Sequence, residues 1–278
     1  MSAFENEVNQ LDIATKDYYG DYEHFMTSSK LKLFAESTVK FDRQYRQGIK
    51  EPESESLVLG SLIHEVTLEP DKEDSEFFVS EAPVNPSTGK AYGRSSKKFQ
   101  EWLEQAESGG KKWVSQEEYD RAKDIAKAVA ANPAAADLLS SDVEREVTLR
   151  GRLAEVSCQS RIDLLCKKRR IFVDLKSTSD LGVNHNNVNW SRDFFRYGYD
   201  KQLAFYRLML AKAFGKRFQP FLIVVDKHAP HESAVISPCE KIIERAEHTV
   251  MSLMCEYADR LKSQDFGSRA SGKVFVIE

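Results

Sequence analysis

Asp163, Asp174 and Lys176 are the residues whose types and spacing most clearly indicate chemistry. Each aspartate interrupts a run of β-branched, aromatic and leucine residues that favours a strand, and a basic turn separates the two runs. If that turn is centred on Lys168 and Arg169, Asp163 lies directly opposite Asp174, with Cβ atoms about 4.5–5.5 Å apart. Because side chains alternate along a strand, Lys176 shares the face of Asp174. The segment therefore predicts a β-hairpin with two carboxylates and an ammonium on one face.

Opposed carboxylates predict a bound divalent cation, because like charges directly across a sheet destabilise it. Oxygen ligands suit Mg²⁺ or Mn²⁺, and such a metal polarises a phosphate and lowers the pKa of a bound water. A nearby lysine can orient that water or stabilise developing charge. The pattern favours metal-dependent phosphodiester hydrolysis, but a bare D-x-K fits an ordinary hairpin with solvated charges equally well. Four apolar residues are expected to face a core on the other side of the hairpin: Ile162, Leu164, Val173 and Leu175.

Two helical segments are predicted to lie beside the hairpin. The segment over 199–214 is amphipathic, and Gln202 and Tyr206 share one of its faces because they lie four residues apart. Further upstream, an apolar helical run over 57–68 contains His64. A lone histidine in such a run is more often a core residue than a ligand. The helices alone therefore leave the role of this histidine open.

Charged residues also surround the first strand of the hairpin. Glu144 and Glu146 stand just before an apolar, strand-like stretch, and alternation places both side chains on one face. Arg150, Arg152 and Arg161 add positive charge to the same region and are candidate phosphate-binding residues. None of these signals is specific when taken singly.

The order of these features along the chain is specific. The chain contains, in this order, a histidine on a helix, a glutamate, an aspartate, a D-x-K pair and a Q-x-x-x-Y helix. In this order of features it resembles the RecB-like branch of the PD-(D/E)XK nuclease superfamily. The resemblance runs from about Tyr22 to about Ile236, and Ile162 departs from it by replacing the usual proline. Within that branch the chain is most similar to the RecE-type exodeoxyribonuclease VIII domain of phage recombination systems, through residues 26–34, 59–70 and 197–206.

The resemblance implies a role for each of these residues. It makes Lys176 the catalytic lysine, and Gln202 and Tyr206 residues that help to place this lysine and the DNA end. For the acidic residue before the first core strand, family spacing fits Glu144 and Glu146 comparably well, and we prefer Glu146 because it adjoins the apolar strand. The implied cation is Mg²⁺, for which Mn²⁺ can substitute. Its implied ligands are His64, Asp163, Asp174 and the carbonyl group of Leu175.

The same resemblance implies an α/β fold, with helices flanking a mixed central β-sheet, a restriction-endonuclease-like core and an N-terminal helical addition. Residues 1–20 are acidic and polar, and we expect a loose or oligomer-contacting arm there. Residues 21–278 are expected to form one exonuclease domain with its core over about 55–240. Patterning predicts helices near 27–36, 56–68, 95–107, 116–131, 199–214 and 239–263, and strands near 76–80, 144–150, 153–166, 170–177, 219–226 and 232–237.

Composition narrows the class of protein. With 278 residues, 41% of them hydrophobic, the chain is long enough for one large domain. It has no apolar run of about 18 residues and no signal-peptide pattern, so we expect a soluble cytoplasmic protein with no membrane partner. The four cysteines lack the spacing of a zinc site, a disulfide framework or the cluster of iron–sulfur relatives.

The net charge of −4 does not favour DNA binding by the surface as a whole. Phosphate binding is local, however, so a basic-lined groove inside an acidic protein is enough to hold a strand. Arg150, Arg152 and Arg161 are candidates for such a groove, whereas Lys111 and Lys112 are better interpreted as a solvated charge run.

The resemblance thus implies a Mg²⁺-dependent double-strand DNA exonuclease of phage or prophage recombination, active in the cytoplasm of a bacterial host. It is expected to degrade one strand in the 5′ to 3′ direction and leave a 3′ overhang for a single-strand annealing protein. Ring-forming relatives imply a homo-oligomer. One alternative is a single-strand or structure-selective nuclease of repair or CRISPR adaptation. The other is a catalytically inactive nuclease-like DNA-binding protein, which the intact Asp163, Asp174 and Lys176 disfavour.

Overall fold

A six-stranded sheet is the centre of the structure, a computed structural model that describes residues 8–11, 18, 24–49, 54–140, 142–184, 187–188 and 190–274. The strands are β1 (Asn9–Leu11), β2 (Phe77–Val79), β3 (Lys112–Val114), β4 (Glu144–Leu153), β5 (Val156–Cys166), β6 (Ile171–Thr178), β7 (Val183–Asn184), β8 (Asn187–Val188), β9 (Gln219–Asp226) and β10 (Ser233–Ile236). The central sheet has the order β1-β4-β5-β6-β9-β10. Its neighbouring strands are antiparallel except β6 and β9, which run parallel.

Six of the described helices lie close to the predicted segments, and three short ones were not predicted. They are α1 (Ser28–Glu36), α2 (Thr38–Phe41) with a π-helical turn (Asp42–Arg46), α3 (Glu55–Leu68), α4 (Lys97–Ala106), α5 (Gln116–Ala131), α6 (Pro133–Ser140), α7 (Ser191–Arg196), α8 (Tyr199–Phe214) and α9 (Glu240–Ser263). Five of them begin after a residue whose hydroxyl accepts a hydrogen bond from the backbone N–H three positions later, which stabilises a helix N-terminus. These capping residues are Thr27, Ser37, Ser54, Ser96 and Ser115.

Helices cover both faces of the sheet and form two apolar layers with it. On one face α1, α8 and α9 bury residues such as Phe34, Phe205 and Val250 against the strands. On the other face α3, α5 and α6 bury residues such as Leu62 and Ile125. Helix α8 connects the parallel strands β6 and β9, so it must cross one face of the sheet. The predicted α/β fold, a mixed sheet flanked by helices, is confirmed.

The predicted hairpin is present as β5 and β6, with the predicted register. Three pairs show this register: Leu164 with Val173, Leu165 with Phe172, and Cys166 with Ile171. Before Leu164 the ladder stops, and Asp163 Oδ2 instead accepts a hydrogen bond from the backbone N–H of Leu175 at 2.7 Å. The two strands therefore separate at the position where the aspartates were expected to face each other.

The sheet is distorted at the same place in β4 and β5. Glu146 has a φ of 51°, in the left-handed region that non-glycine residues rarely adopt, and the ladder between the strands omits its pairing with Asp163. Alternation also changes here, because Ile162 is buried on the α8 side of the sheet and Leu164 on the α3 side. The prediction that Ile162 faces the same core as Leu164, Val173 and Leu175 was therefore wrong.

The N-terminal arm contributes a strand to the sheet. Asn9–Leu11 pairs antiparallel with β4, and Val8 and Tyr18 are buried. An uncovered sheet edge offers unpaired N–H and C=O groups, which this segment satisfies. The expectation of a loose arm was therefore wrong for the described residues of this segment. Among the residues that the structure describes, no helix is long and apolar enough to cross a membrane.

Candidate active site

A cleft of about 640 Å³ opens where the distorted strands meet three helices. Strands β4, β5 and β6 supply Glu146, Asp163 and Asp174, α3 supplies His64, and α1 and α8 supply polar side chains from the opposite core layer. The cleft brings together all of the residues predicted to be catalytic: His64, Glu146, Asp163, Asp174, Lys176, Gln202 and Tyr206.

His64 faces the cleft and contacts two carboxylates. Its Nε2 lies 2.6 Å from Asp163 Oδ2, and its Nδ1 lies 3.5 Å from Glu146 Oε1. The imidazole is 28% exposed, although its helical neighbours Leu62 and Ile63 are fully buried. The histidine is therefore a site residue and not part of the apolar core.

Glu146 and Glu144 occupy different environments, and only Glu146 reaches the cleft. Glu146 Oε2 pairs with Arg161 Nε at 2.6 Å inside the cleft. Glu144 lies outside it, paired with Lys167 Nζ at 2.7 Å and accepting a hydrogen bond from Gln10. The left-handed backbone at Glu146 breaks the alternation that would have placed both glutamates on one face.

Asp174 is held by the lysine and the glutamine of the predicted catalytic set. Lys176 Nζ lies 2.5 Å from Asp174 Oδ2, and Gln202 Nε2 donates to Asp174 Oδ1 at 2.8 Å and to Tyr206 OH at 3.1 Å. The Lys176 ammonium also donates to the carbonyl of Leu175 at 3.4 Å. This network fixes the D-x-K pair from the side of α8.

Helix α1 contributes residues to the site that sequence reasoning missed. Lys32 Nζ donates to Gln202 Oε1 at 2.9 Å, and Ser28 Oγ donates to Tyr206 OH at 3.4 Å. The centroid of the Tyr199 ring lies 5.4 Å from Lys32 Nζ and 5.5 Å from Lys176 Nζ. The lysine and the serine belong to the N-terminal stretch that resembles the RecE-type domain, which was the signal available in the sequence.

The pKa values of His64, Glu146 and Asp163 are shifted by burial and by the charges of neighbouring groups. Burial lowers the pKa of His64, but the adjacent Asp163 carboxylate outweighs it and raises the pKa to about 9. Burial raises the pKa of Glu146 to about 7, opposed by His64 and reinforced by Asp163. Burial also disfavours ionised Asp163, yet His64 and then Lys176 outweigh it and lower its pKa. The cluster therefore retains a proton that a cation would displace.

Lys176 and Lys32, on the other side of the cleft, have pKa values shifted in opposite directions. Burial disfavours the charged form of Lys176, but Asp174 and Asp163 outweigh burial and raise its pKa. Burial raises the pKa of Asp174, against the effect of Lys176. Burial and the positive charge of Lys176 lower the pKa of Lys32 to about 8. Lys176 is therefore held charged, and Lys32 is the cation that loses its proton more easily.

The cluster of His64, Glu146 and Asp163 fits a divalent cation. His64, Glu146 and Asp163 each offer one ligand atom, and these atoms lie within 4.8 Å of one another. Imidazole nitrogen and carboxylate oxygen are ligands for such ions. Glu146 Oε1 is buried and accepts no hydrogen bond from the described residues, a deficit that a cation would remove. Asp174 and the Leu175 carbonyl, the other predicted ligands, lie in the same cleft with contacts to Lys176.

One of the three arginines predicted to bind DNA lines the cleft, and the other two lie outside it. Arg161 lines the cleft, where it pairs with Glu146. Arg150 Nε donates to Gln159, and the guanidinium of Arg152 donates to the carbonyl of Glu155. Arg150 and Arg152 do not line the cleft, so any contact of theirs with DNA lies outside it.

Comparisons with known proteins agree with this geometry. A family model described as a PDDEXK-like domain of unknown function (DUF3799) matches residues 27–276. The crystal structure of a provisionally assigned exonuclease from Eubacterium rectale has a TM-score of 0.63 and 16% sequence identity, with 96% of each chain covered, and shows the same fold.

The crystal structure of a phage-related exonuclease from Haemophilus somnus 129PT has a TM-score of 0.33 and 14% sequence identity, over 66% of this chain and 91% of that chain. A TM-score this low does not show a shared fold. No curated protein matches the sequence. Because the family model covers most of the chain, the protein belongs to the DUF3799 family of PDDEXK-like, nuclease-like domains.

Proposed function

We propose that this protein is a divalent-metal-dependent exonuclease that degrades one strand of double-stranded DNA from an end. One observation carries the proposal: a histidine–carboxylate cluster that fits a cation lies in the same cleft as a partly buried, charged lysine, Lys176. A structural hairpin with solvated charges would not bury Asp163 and Asp174 on it. The intact cluster and lysine also argue against a catalytically inactive DNA-binding protein.

His64, Glu146, Asp163 and Asp174 would hold the cation. When bound, a divalent cation there polarises the scissile phosphate and lowers the pKa of a nearby water. Asp163 is positioned for this role by the Leu175 N–H, and Glu146 by Arg161, so both carboxylates are ordered before DNA arrives. Such preorganisation avoids the cost of orienting charges during the reaction.

Lys176 would act on the reacting phosphate or water. Its ammonium stays protonated because Asp174 and Asp163 offset the effect of burial, so it is suited to stabilise negative charge that develops in the transition state. Gln202 donates a hydrogen bond to Asp174 and another to the hydroxyl of Tyr206, which helps to hold the Gln202 amide in place. Lys32 in turn orients the Gln202 amide by donating to its oxygen. These three residues position the catalytic pair.

The finer parts of the proposal derive from the resemblance to RecE-type domains. We propose Mg²⁺ as the cation, with Mn²⁺ as a substitute, and linear duplex DNA as the substrate. Degradation in the 5′ to 3′ direction would leave a 3′ overhang for a single-strand annealing protein. A homo-oligomeric ring would keep the enzyme on its substrate between successive cuts.

The test is a cleavage assay with purified protein, Mg²⁺ and duplex DNA labelled at the 5′ or the 3′ end, in linear and in closed circular form. Release of the 5′ label from linear DNA alone would support the proposal. Cutting of closed circles would replace it with an endonuclease, and degradation of single strands alone would favour the single-strand alternative. The Lys176→Ala variant controls for contaminating nucleases.

A further inference from the structure

Two half-exposed aromatic rings stand at the end of the short helix α7. Phe195 is 49% exposed and Tyr197 is 51% exposed, whereas each other Phe, Tyr and Trp in the described part of the chain is more deeply buried. Arg192 and Arg196 are exposed on the same helix, and the guanidinium of Arg196 lies 5.5 Å from the centroid of the Tyr197 ring. Exposed rings that cluster with cations indicate a binding surface more than isolated exposed residues do.

Neighbouring rings hold both of these side chains in place. Phe195 packs edge-on against the buried Phe194, with ring centroids 5.0 Å apart. Tyr197 lies 6.0 Å from Tyr199, centroid to centroid. Little side-chain entropy would be lost if a flat ligand bound to them, because the rings are already ordered.

The aromatic surface is continuous with the catalytic cleft. Tyr197 and Tyr199 both line the cleft, and the ring of Tyr199 lies 5.5 Å from Lys176 Nζ. From Tyr199, one ring contact leads to Tyr197, and a second series through Trp190 and Phe194 leads to Phe195. Asp193 is the carboxylate of this helix, and the two arginines outnumber it.

We infer that Phe195 and Tyr197, together with Arg192 and Arg196, form a stacking surface for the bases of an unpaired DNA strand beside the cleft. This inference rests on the proposed function, because a nuclease that removes one strand leaves the other unpaired near its active site. Aromatic rings stack on the face of any base, and arginines attract the phosphates between bases, so the surface needs no sequence preference. A protein partner fits less well, because a stable protein interface buries about 1,000 Å² or more, and two rings between arginines offer much less.

The test measures binding in the cleavage-deficient Lys176→Ala background. Its ligands are a blunt duplex and the same duplex with an unpaired 3′ tail that contains 2-aminopurine, a base whose fluorescence reports stacking. The Phe195→Ala/Tyr197→Ala variant should bind the tailed duplex at least about tenfold more weakly and lose the fluorescence change. Its binding to the blunt duplex should stay within about twofold, since phosphate contacts dominate there.

Two matched variants separate stacking from other effects. Phe195→Trp/Tyr197→Trp keeps aromatic faces and should retain the parent affinity for the tail. Leu261→Ala removes a side chain of α9 that is 37% exposed and does not line the cleft, and it should change nothing. Melting temperatures of all variants check folding, and the tryptophan variant keeps the test valid if the alanine variant is unstable.

Several outcomes would overturn the inference. One is unchanged tail binding in the alanine variant, and another is an equal loss in the tryptophan variant. A change in molar mass by light scattering without a change in tail binding would assign the surface to a second copy of the chain. If the parent enzyme fails to cleave DNA ends but binds tails through these rings, the proposed function fails and the stacking surface stands. If the parent enzyme cleaves DNA ends while the alanine variant binds tails normally, the proposed function stands and the stacking surface fails.

Discussion

At the scale of single residues, the candidate site consists of two groups that meet between β5 and β6. His64, Glu146 and Asp163 form one group with the geometry of a cation site. Asp174 and Lys176 form the other, held by side chains from α8. Removing a residue from one group should therefore not have the same consequence as removing one from the other.

Asp174→Ala and Lys176→Ala should each abolish cleavage and leave the protein folded. The aspartate is a predicted ligand, whereas the lysine acts on water or developing charge, so calorimetry should show Mn²⁺ binding lost in the first variant and largely kept in the second. The exposed pair Asp124 and Lys127 on α5, joined at 2.8 Å, supplies the matched control substitutions Asp124→Ala and Lys127→Ala. Near-normal turnover in either site variant would refute the assignment.

Stabilisation by a divalent cation should increase with pH. The pKa of His64 is raised to about 9, so its contribution to stability is complete below its unfolded pKa and is lost as the pH rises through 9. Glu146 has a pKa raised to about 7, so its contribution to stability is lost as the pH rises from its unfolded pKa to 7. Each of these losses is on the order of a few kcal/mol. A cation replaces the displaced proton and restores that stability.

Thermal melting with chelator or with Mg²⁺, at about pH 6 and about pH 8.5, measures this coupling. The rise in melting temperature caused by Mg²⁺ should be small at the lower pH and clear at the higher one. His64→Gln should flatten the pH dependence and raise the Mg²⁺ concentration needed for activity. Equal stabilisation at both pH values, or a variant that melts early but cleaves normally at low Mg²⁺, would mean that His64 serves only packing.

Lys32→Met should reduce turnover without reducing stability. The lysine orients the Gln202 amide that binds Asp174, so its loss should slow cleavage by about tenfold to a hundredfold, as for other misplaced catalytic groups. Burial and Lys176 lower the pKa of Lys32, so removing its charge relieves an unfavourable desolvation. Steady-state kinetics and melting temperature are compared with Lys40→Met, at an exposed lysine on α2. Unchanged turnover would show that Gln202 is held without it.

At the scale of secondary structure, local pattern predicted the helices and the β5–β6 hairpin, because apolar runs and a basic turn determine the register. The left-handed Glu146 could not be predicted in this way. Nothing in its local sequence favours a positive φ, and its contacts with His64 and Arg161 come from distant segments. Lys32 was missed for the same reason, since its partner Gln202 lies 170 residues away. Contacts between distant segments determine the backbone at Glu146 and the position of Lys32, and sequence periodicity carries no information about such contacts.

Gly198, between α7 and α8, should be less tolerant of substitution than Gly215 at the end of α8. Both have a φ of 64°, so alanine is strained at either position by about 1–2 kcal/mol. A Cβ at 198 would also lie 3.2 Å from the Cγ and Cδ of Lys32, whereas a Cβ at 215 would have no neighbour within 4 Å. Gly198→Ala should therefore cost more unfolding free energy, measured in urea, and also lower turnover by displacing Lys32. Equal losses of stability with equal turnover would show that Lys32 simply moves aside.

At the scale of the whole molecule, the distribution of charge bears on how DNA is held. Three cations of the cleft pair with carboxylates: Arg161 with Glu146, Lys176 with Asp174, and Lys72 with three glutamates. Burial lowers the pKa of the other two lysines that line it, Lys32 and Lys227. In a chain of net charge −4, paired cations leave little positive charge for a long duplex. This arrangement favours phosphate contacts outside the cleft, such as those that Arg150 and Arg152 would make if several copies surrounded the DNA.

Affinity for DNA should therefore fall steeply with salt despite the negative net charge, because counterion release depends on local phosphate contacts. Arg152→Glu should reduce the slope of log affinity against log salt by about 0.9 for each phosphate that the protein no longer neutralises, and should shorten processive runs more than it slows the first cut. Lys111→Glu, at a lysine paired with Asp74 at 2.9 Å, is the control and should leave the slope unchanged. Binding is measured on a duplex with a 3′ overhang in Ca²⁺, and molar mass by light scattering. A monomer with a flat salt dependence would contradict both the proposed ring and its channel, and would favour a single-strand nuclease.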